Sequence, residues 1–237
     1  MRRQVNSGAL GSTRHKTYQM GRSKRRKPRG SKPFIVVAPP LRPRMEQTIV
    51  PDGKAEIELD IVRRAIKALS AAGTLPFHLV GEPVQNPEDD WDFSLPTLDG
   101  TQHLDLVEFA PLSRTAGSYD RVPQNRNNGD VADDVVALIA RKEARYGSLV
   151  QRRVHLLIYT TDWRLTPPVR VERLVALDLS RRGTGFTSIL YCSPWGSDLA
   201  HASILYPVAS AAFEGFDEAT VREEWTAHLQ WKDPNSR

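Results

Sequence analysis

Between Asp89 and Leu112 the chain sets acidic side chains into otherwise apolar, strand-like sequence. Asp92 opens the run Asp92-Phe-Ser-Leu-Pro-Thr97, and Asp105 and Glu108 interrupt His103-Leu-Asp-Leu-Val-Glu-Phe109. A carboxylate inside an apolar strand is costly to bury unless it is paired, hydrogen-bonded or bound to a metal. Glu88, Asp89 and Asp90 read as solvated residues at the mouth of this hairpin. Acids from neighbouring strands and from the end of a helix that converge on one spot repel one another. They stay ionised when a hard cation such as Mg²⁺ (or Mn²⁺) sits among their oxygens. Such an ion activates water and stabilises the charge that builds on a phosphodiester during hydrolysis. The usual further part is a lysine ammonium that orients the nucleophile or stabilises a developing oxyanion.

The elements that must position these residues follow from periodicity. Residues 55–72 read as a helix in which Val62, Ala65, Ile66 and Leu69 form one apolar stripe, with Gly73 as its stop. Glu58 lies on that stripe and Glu56 does not; a first-turn acid is also favoured by the helix dipole alone. A short strand at 76–80 leads into two strands joined through an Asp99-Gly100 turn. After a polar loop over 113–129, a second helix spans 131–146 with Val131, Val135, Leu138, Ile139 and Tyr146 on its stripe. Lys142 sits at the centre of that stripe, so it either snorkels out along its stem or points its ammonium at something anionic inside. The continuous apolar run 154–160 is expected to be a central buried strand. Further strands are expected at 173–178, 186–192 and 202–207, and a last helix at 218–229 carries Trp225. This order predicts an α/β fold with a central mixed sheet flanked by helices.

Charge is distributed unevenly. Residues 1–44 hold 13 Lys and Arg and no Asp or Glu, whereas the rest holds 20 basic against 28 acidic side chains. Residues 1–32 are expected to be a disordered basic arm, residues 33–53 a Pro-rich linker with an edge strand near Phe34 to Ala38, and residues 54–237 one α/β domain. In the arm, Arg22, Lys24, Arg25, Arg26, Lys27 and Arg29 could neutralise several phosphates and bind DNA or RNA in a salt-dependent way. The same run also suits a solubilising or targeting tail, and Met45, just ahead of the first helix, offers an alternative start. The single Cys192 excludes an intramolecular disulfide framework and a cysteine-rich zinc site. The six histidines lack the spacing of a zinc hydrolase, and neither a Gly-x-Ser-x-Gly elbow nor a phosphate-binding glycine loop is present. No apolar run reaches a membrane span's length and no secretory signal opens the chain, so no membrane partner is expected and the location is expected to be cytoplasmic, with nucleoid or nuclear association allowed.

Asp92-Phe93, a Gly-containing turn, His103-Leu-Asp-Leu-Val-Glu-Phe109, the helical Ala140-Arg-Lys-Glu-Ala-Arg-Tyr146 and the strand His155-Leu-Leu-Ile-Tyr159 together resemble the PD-(D/E)XK, or restriction-endonuclease-like, nuclease superfamily. The resemblance covers about residues 55–160. It implies a Mg²⁺-dependent phosphodiesterase acting on nucleic acid, with Asp92 as a metal-ligating aspartate and Glu58 as the helix acid. The second-strand ligand is Asp105 or Glu108. Side chains on a regular strand alternate, so these two face opposite sides and at most one shares the site, unless a bulge intervenes. Asp105 is preferred, because a Gly turn five residues earlier suits a tight hairpin. In either register the family's lysine is missing: Val107 or Ala110 stands where it should be. Lys142, from the next helix, is the expected substitute. Without a lysine at the site, the resemblance implies instead a catalytically inactive nuclease-like domain that binds nucleic acid or joins a nucleoprotein assembly.

Overall fold

The first helix shows how local sequence builds this fold. In α1 (Lys54–Ala71) the apolar residues Ile57, Ile61, Val62, Ala65 and Leu69 recur at helical spacing and all are buried. The helix stops where Gly73 takes the left-handed conformation, φ 67°, which a side chain disfavours. There the Thr74 amide donates to Leu69 O and the Gly73 amide to Ser70 O, closing the carbonyls the last turn leaves open. The computed structural model describes residues 50–86, 91–110, 126–147, 153–162 and 165–225, and the backbone of 33–36 and 44–47.

Six strands form one mixed sheet in chain order: β3 (Val84–Gln85), β4 (Phe93–Thr97), β5 (Gly100–Glu108), β6 (Val154–Tyr159), β7 (Ser188–Trp195) and β8 (Leu199–Tyr206). The β5–β6 and β6–β7 pairs are parallel and the others antiparallel. Parallel neighbours need crossovers, and these are α2 (Asn128–Tyr146) and α3 (Val169–Arg182). Strand alternation sorts the core into two layers. Val154, Leu156, Ile158, Ile189 and Tyr191 face α2 and α3, while Phe93, Leu95, Leu104, Leu106, Leu157 and Leu190 face α1. Strand β6, buried at all six positions, lies at the centre as its unbroken apolar run predicts. A short helix α4 (Glu218–Glu223) adds Val221 to the first layer, and Asn128 donates its side-chain amide to Val221 O.

The α/β class, the mixed sheet, both long helices and the strands at β6, β7 and β8 follow the sequence reading. Four details differ. Residues 173–178 are not a strand but the middle of α3: Val171, Leu174, Val175 and Leu179 are buried at helical spacing, and Pro168 precedes the first turn. Residues 76–80 contribute only an isolated bridge, Leu79 to Thr97. The β4–β5 turn is Leu98-Asp99, with Thr97 opposite Gly100. In the expected linker, β1 (Pro33–Val36) pairs with β2 (Arg44–Gln47) as a separate two-stranded sheet. The basic arm, including Arg22, Lys24, Arg25, Arg26, Lys27 and Arg29, lies outside the described residues, as does the end of the expected last helix beyond Trp225.

Candidate active site

The β4–β5 register pairs Phe93 with Leu104, so one step further sets Asp92 opposite Asp105. Asp92 lies just before β4, and its Oδ2 accepts the Leu106 amide of β5 at 2.7 Å. A carboxylate thus serves a strand amide past the end of the neighbouring strand. Asp105 points to the α2 layer and is 2% exposed. Lys142 of α2 reaches down to it, Nζ 2.8 Å from Oδ2. Asp92 lies near enough for its charge to help raise the Asp105 pKa.

Burial is the main reason that the Asp105 carboxyl is pushed up to about 6; Lys142 opposes the rise and Asp92 adds to it. Glu58 approaches from α1 on the other layer. Its carboxylate pairs with Lys54 at 3.3 Å, and burial raises its pKa. It also feels Asp92, which raises that pKa further, and Lys142, which lowers it. Three acids and one lysine, from α1, the residue ahead of β4, β5 and α2, therefore share one electrostatic environment.

Glu108 is placed differently. It follows Leu104 and Leu106 on the face towards α1, and Thr161 Oγ1 donates to its Oε1 at 2.5 Å. The fold brings Asp105 to Asp92 and Lys142, and it leaves Glu108 in a separate contact at the end of β5.

Hard oxygen donors suit Mg²⁺, which is commonly held by one or two carboxylates while waters and substrate phosphates complete its shell. The Asp92–Asp105 pair fits that donor set. Among the described residues, no group of three or more acidic, His or Cys side chains is arranged to hold a metal ion.

Tyr146 was legible in the sequence only as packing, whereas Trp91 was marked out by its place beside Asp92. Tyr146, one turn beyond Lys142, sets its ring 5.7 Å from the Lys142 ammonium, and burial, with the nearby Asp105 charge, raises its hydroxyl's pKa. Trp91 packs on the Tyr146 ring at 4.6 Å and stacks on His103 at 6.0 Å. The available signals were the i, i+4 spacing of Lys142 and Tyr146 and the adjacency of Trp91 to Asp92.

Other buried polar groups belong to separate networks. His155 lies between Ser188 Oγ at 2.7 Å and Gln102 Oε1 at 2.5 Å, and burial lowers its pKa to about 4. Glu172 accepts from His201 Nε2 at 2.8 Å and from Ser203 Oγ at 2.7 Å. Comparison with family models, with curated proteins and with solved structures found no match.

Proposed function

We propose that this chain is a restriction-endonuclease-like, Mg²⁺-dependent phosphodiesterase that acts on nucleic acid. The observation that carries the reading is the Asp92–Asp105 carboxylate pair with the Lys142 ammonium 2.8 Å from Asp105. Asp92 and Asp105 would hold the ion, which when bound supplies Lewis-acid activation of water and of the phosphodiester. Asp92 is oriented by the Leu106 amide, so its free oxygen has a defined direction. Lys142 neutralises Asp105 and places a positive charge where negative charge on a phosphoryl oxygen would develop. Glu58 adds a third negative charge within electrostatic range and draws cations to the site. Residues 45–237 carry a net negative charge, so affinity for a polyanion would come from the basic arm and local arginines.

A second reading, a catalytically inactive nuclease-fold protein that binds nucleic acid, is favoured by one observation. Lys142 already spends its charge on Asp105, and among the described residues no three ligands are grouped for a metal. A cleavage assay on single- and double-stranded DNA and RNA with Mg²⁺ or Mn²⁺ separates the two. The comparison is wild type against Asp92→Asn, which keeps an acceptor for the Leu106 amide. Metal-dependent cutting that the variant loses supports the enzyme; binding without cutting on every substrate supports the second reading. Deleting residues 1–32 is expected to weaken binding and flatten its salt dependence, and unchanged binding would remove the arm from this account.

A further inference from the structure

A groove of about 870 Å³ opens between α1 and the irregular segment that follows it, and none of the carboxylates of the candidate active site lines it. Arg63, Ile66 and Lys67 form one wall, at the i, i+3 and i+4 positions that share a helix face. Leu75, His78 and Leu79 contribute to the other. The volume falls in the range of small-ligand sites, about 300–1,000 Å³.

The fold itself gives the two cations on the α1 wall little to do. Like charges four residues apart on one face weaken a helix. Arg63 is exposed and has no ion-pair partner among the described residues. Asp60, the one acid within helical reach of Arg63, is taken by Arg64, whose Nε lies 3.0 Å from Asp60 Oδ1. Lys67 holds Asp198 at 2.8 Å, but the two side chains are 62% and 65% exposed, and a pair so solvated contributes little and yields to a better anion. Glu82 is the one carboxylate that lines the groove among the described residues. Beside these charges Ile66, Leu75 and Leu79 are half-buried against the core and leave part of their apolar surface open to the groove.

A ligand that satisfies both walls carries a negative charge next to a flat, weakly polar face. An inorganic anion offers only the first and an aliphatic chain only the second, whereas a nucleotide unit offers both. In a duplex the base faces are stacked inside, so only an unpaired strand can present them to side chains.

We propose that this groove binds an unpaired stretch of a nucleic-acid strand, with a phosphate on Arg63 and Lys67 and the adjoining base against Ile66, Leu75 and Leu79. The inference rests on the reading of the chain as one that acts on nucleic acid, and it narrows the substrate class to nucleic acid with an unpaired segment. Along the α1 axis Arg63 and Lys67 lie about 8 and 14 Å beyond Glu58, at about 1.5 Å per residue, so the groove is a contact point separate from the carboxylates.

The test is a fluorescence-anisotropy titration of the full chain at several salt concentrations, with a chelator present so that nothing is cut. The probes are labelled DNA and RNA single strands of about 12 nucleotides, within the range of single-strand site sizes, and the matching DNA duplex. Wild type is compared with the double variant Arg63→Gln, Lys67→Gln, and AMP is titrated into both. Each phosphate contact with a single strand contributes about 0.7 to the salt slope, so the double variant is expected to lose about 1.4 in slope and about 25-fold in affinity at about 0.1 M salt. Duplex binding and the thermal midpoint are expected to stay near the wild-type values, because both substituted positions are exposed. Unchanged single-strand affinity and slope in the variant overturn the proposal, as does an equal loss on strand and duplex. AMP binding that the variant loses while strand binding is unchanged overturns it too. A single strand that binds through the groove and is never cut with Mg²⁺ or Mn²⁺ supports the groove and removes the phosphodiesterase reading, so the two failures are told apart.

Discussion

Asp105→Asn is expected to make the protein more stable while removing the candidate ligand. Asp105 is 2% exposed, and burial lifts its carboxyl from an ordinary 3.8 to about 6. At neutral pH it is therefore ionised in a place that disfavours the ionised form, even with Lys142 beside it. A carboxyl raised by this much costs about 3 kcal/mol of folding free energy at a pH above both values.

Asparagine has the shape of the protonated acid and needs no ionisation, so at pH 7 the variant is expected to gain up to about 3 kcal/mol, or several degrees in Tm for a chain of this size. The sign follows from proton uptake. Between pH 3.8 and about 6 the folded state holds the Asp105 proton and the unfolded state does not. This group's contribution therefore increases stability as the pH falls through 6 and levels off below 3.8. The advantage of Asp105→Asn over wild type must accordingly be largest at pH 7 and must shrink towards pH 4. The assay is urea unfolding of both proteins at several pH values with a chelator present. An equal or lower stability of the variant at pH 7, or a difference that does not vary with pH, would refute the reasoning. A gain would show the site to be held against the stability of the fold, a common mark of function.

Other expectations concern the rest of the fold. His155 is buried neutral with its pKa lowered to about 4, so its contribution is complete above pH 6.5 and is lost as the pH falls towards 4, about 3 kcal/mol in all; an NMR titration that finds His155 charging near 6.5 would contradict this. Phe93→Ala, at a fully buried position beside Asp92, should cost about 3–5 kcal/mol in denaturant unfolding. Gly73→Ala meets no neighbour within 4 Å but must take φ 67°, so a loss of about 1–2 kcal/mol in thermal unfolding is expected from backbone strain alone.

Much of the architecture could be read from local pattern. Helices α1 and α2 and strand β6 announce themselves because their apolar residues recur at 3.6 or run unbroken, and each element buries the face that its pattern marks. The acidic hairpin was legible for a related reason: carboxylates in apolar strands demand a partner, whatever the partner is. Residues 173–178 were misread because six residues are too few to separate a helical stripe from a strand when the flanking Val171 and Leu179 are left out of the window.

Sequence alone determined which side chains carry the charge, that Asp105 and Glu108 part to opposite faces of a regular strand, and that Lys142 interrupts an apolar stripe. Tertiary structure decided everything that depends on which face is covered by what. The β5–β6 crossover lays α2 on the Asp105 side, and Lys142 thereby finds a carboxylate 2.8 Å away, while Glu108 is left to Thr161. Alternation and helical period are properties of a few consecutive residues and survive in any fold. The meeting of Asp92, Asp105, Lys142 and Tyr146 joins positions up to 54 residues apart, and only the packing of a helix against a sheet can set such a distance.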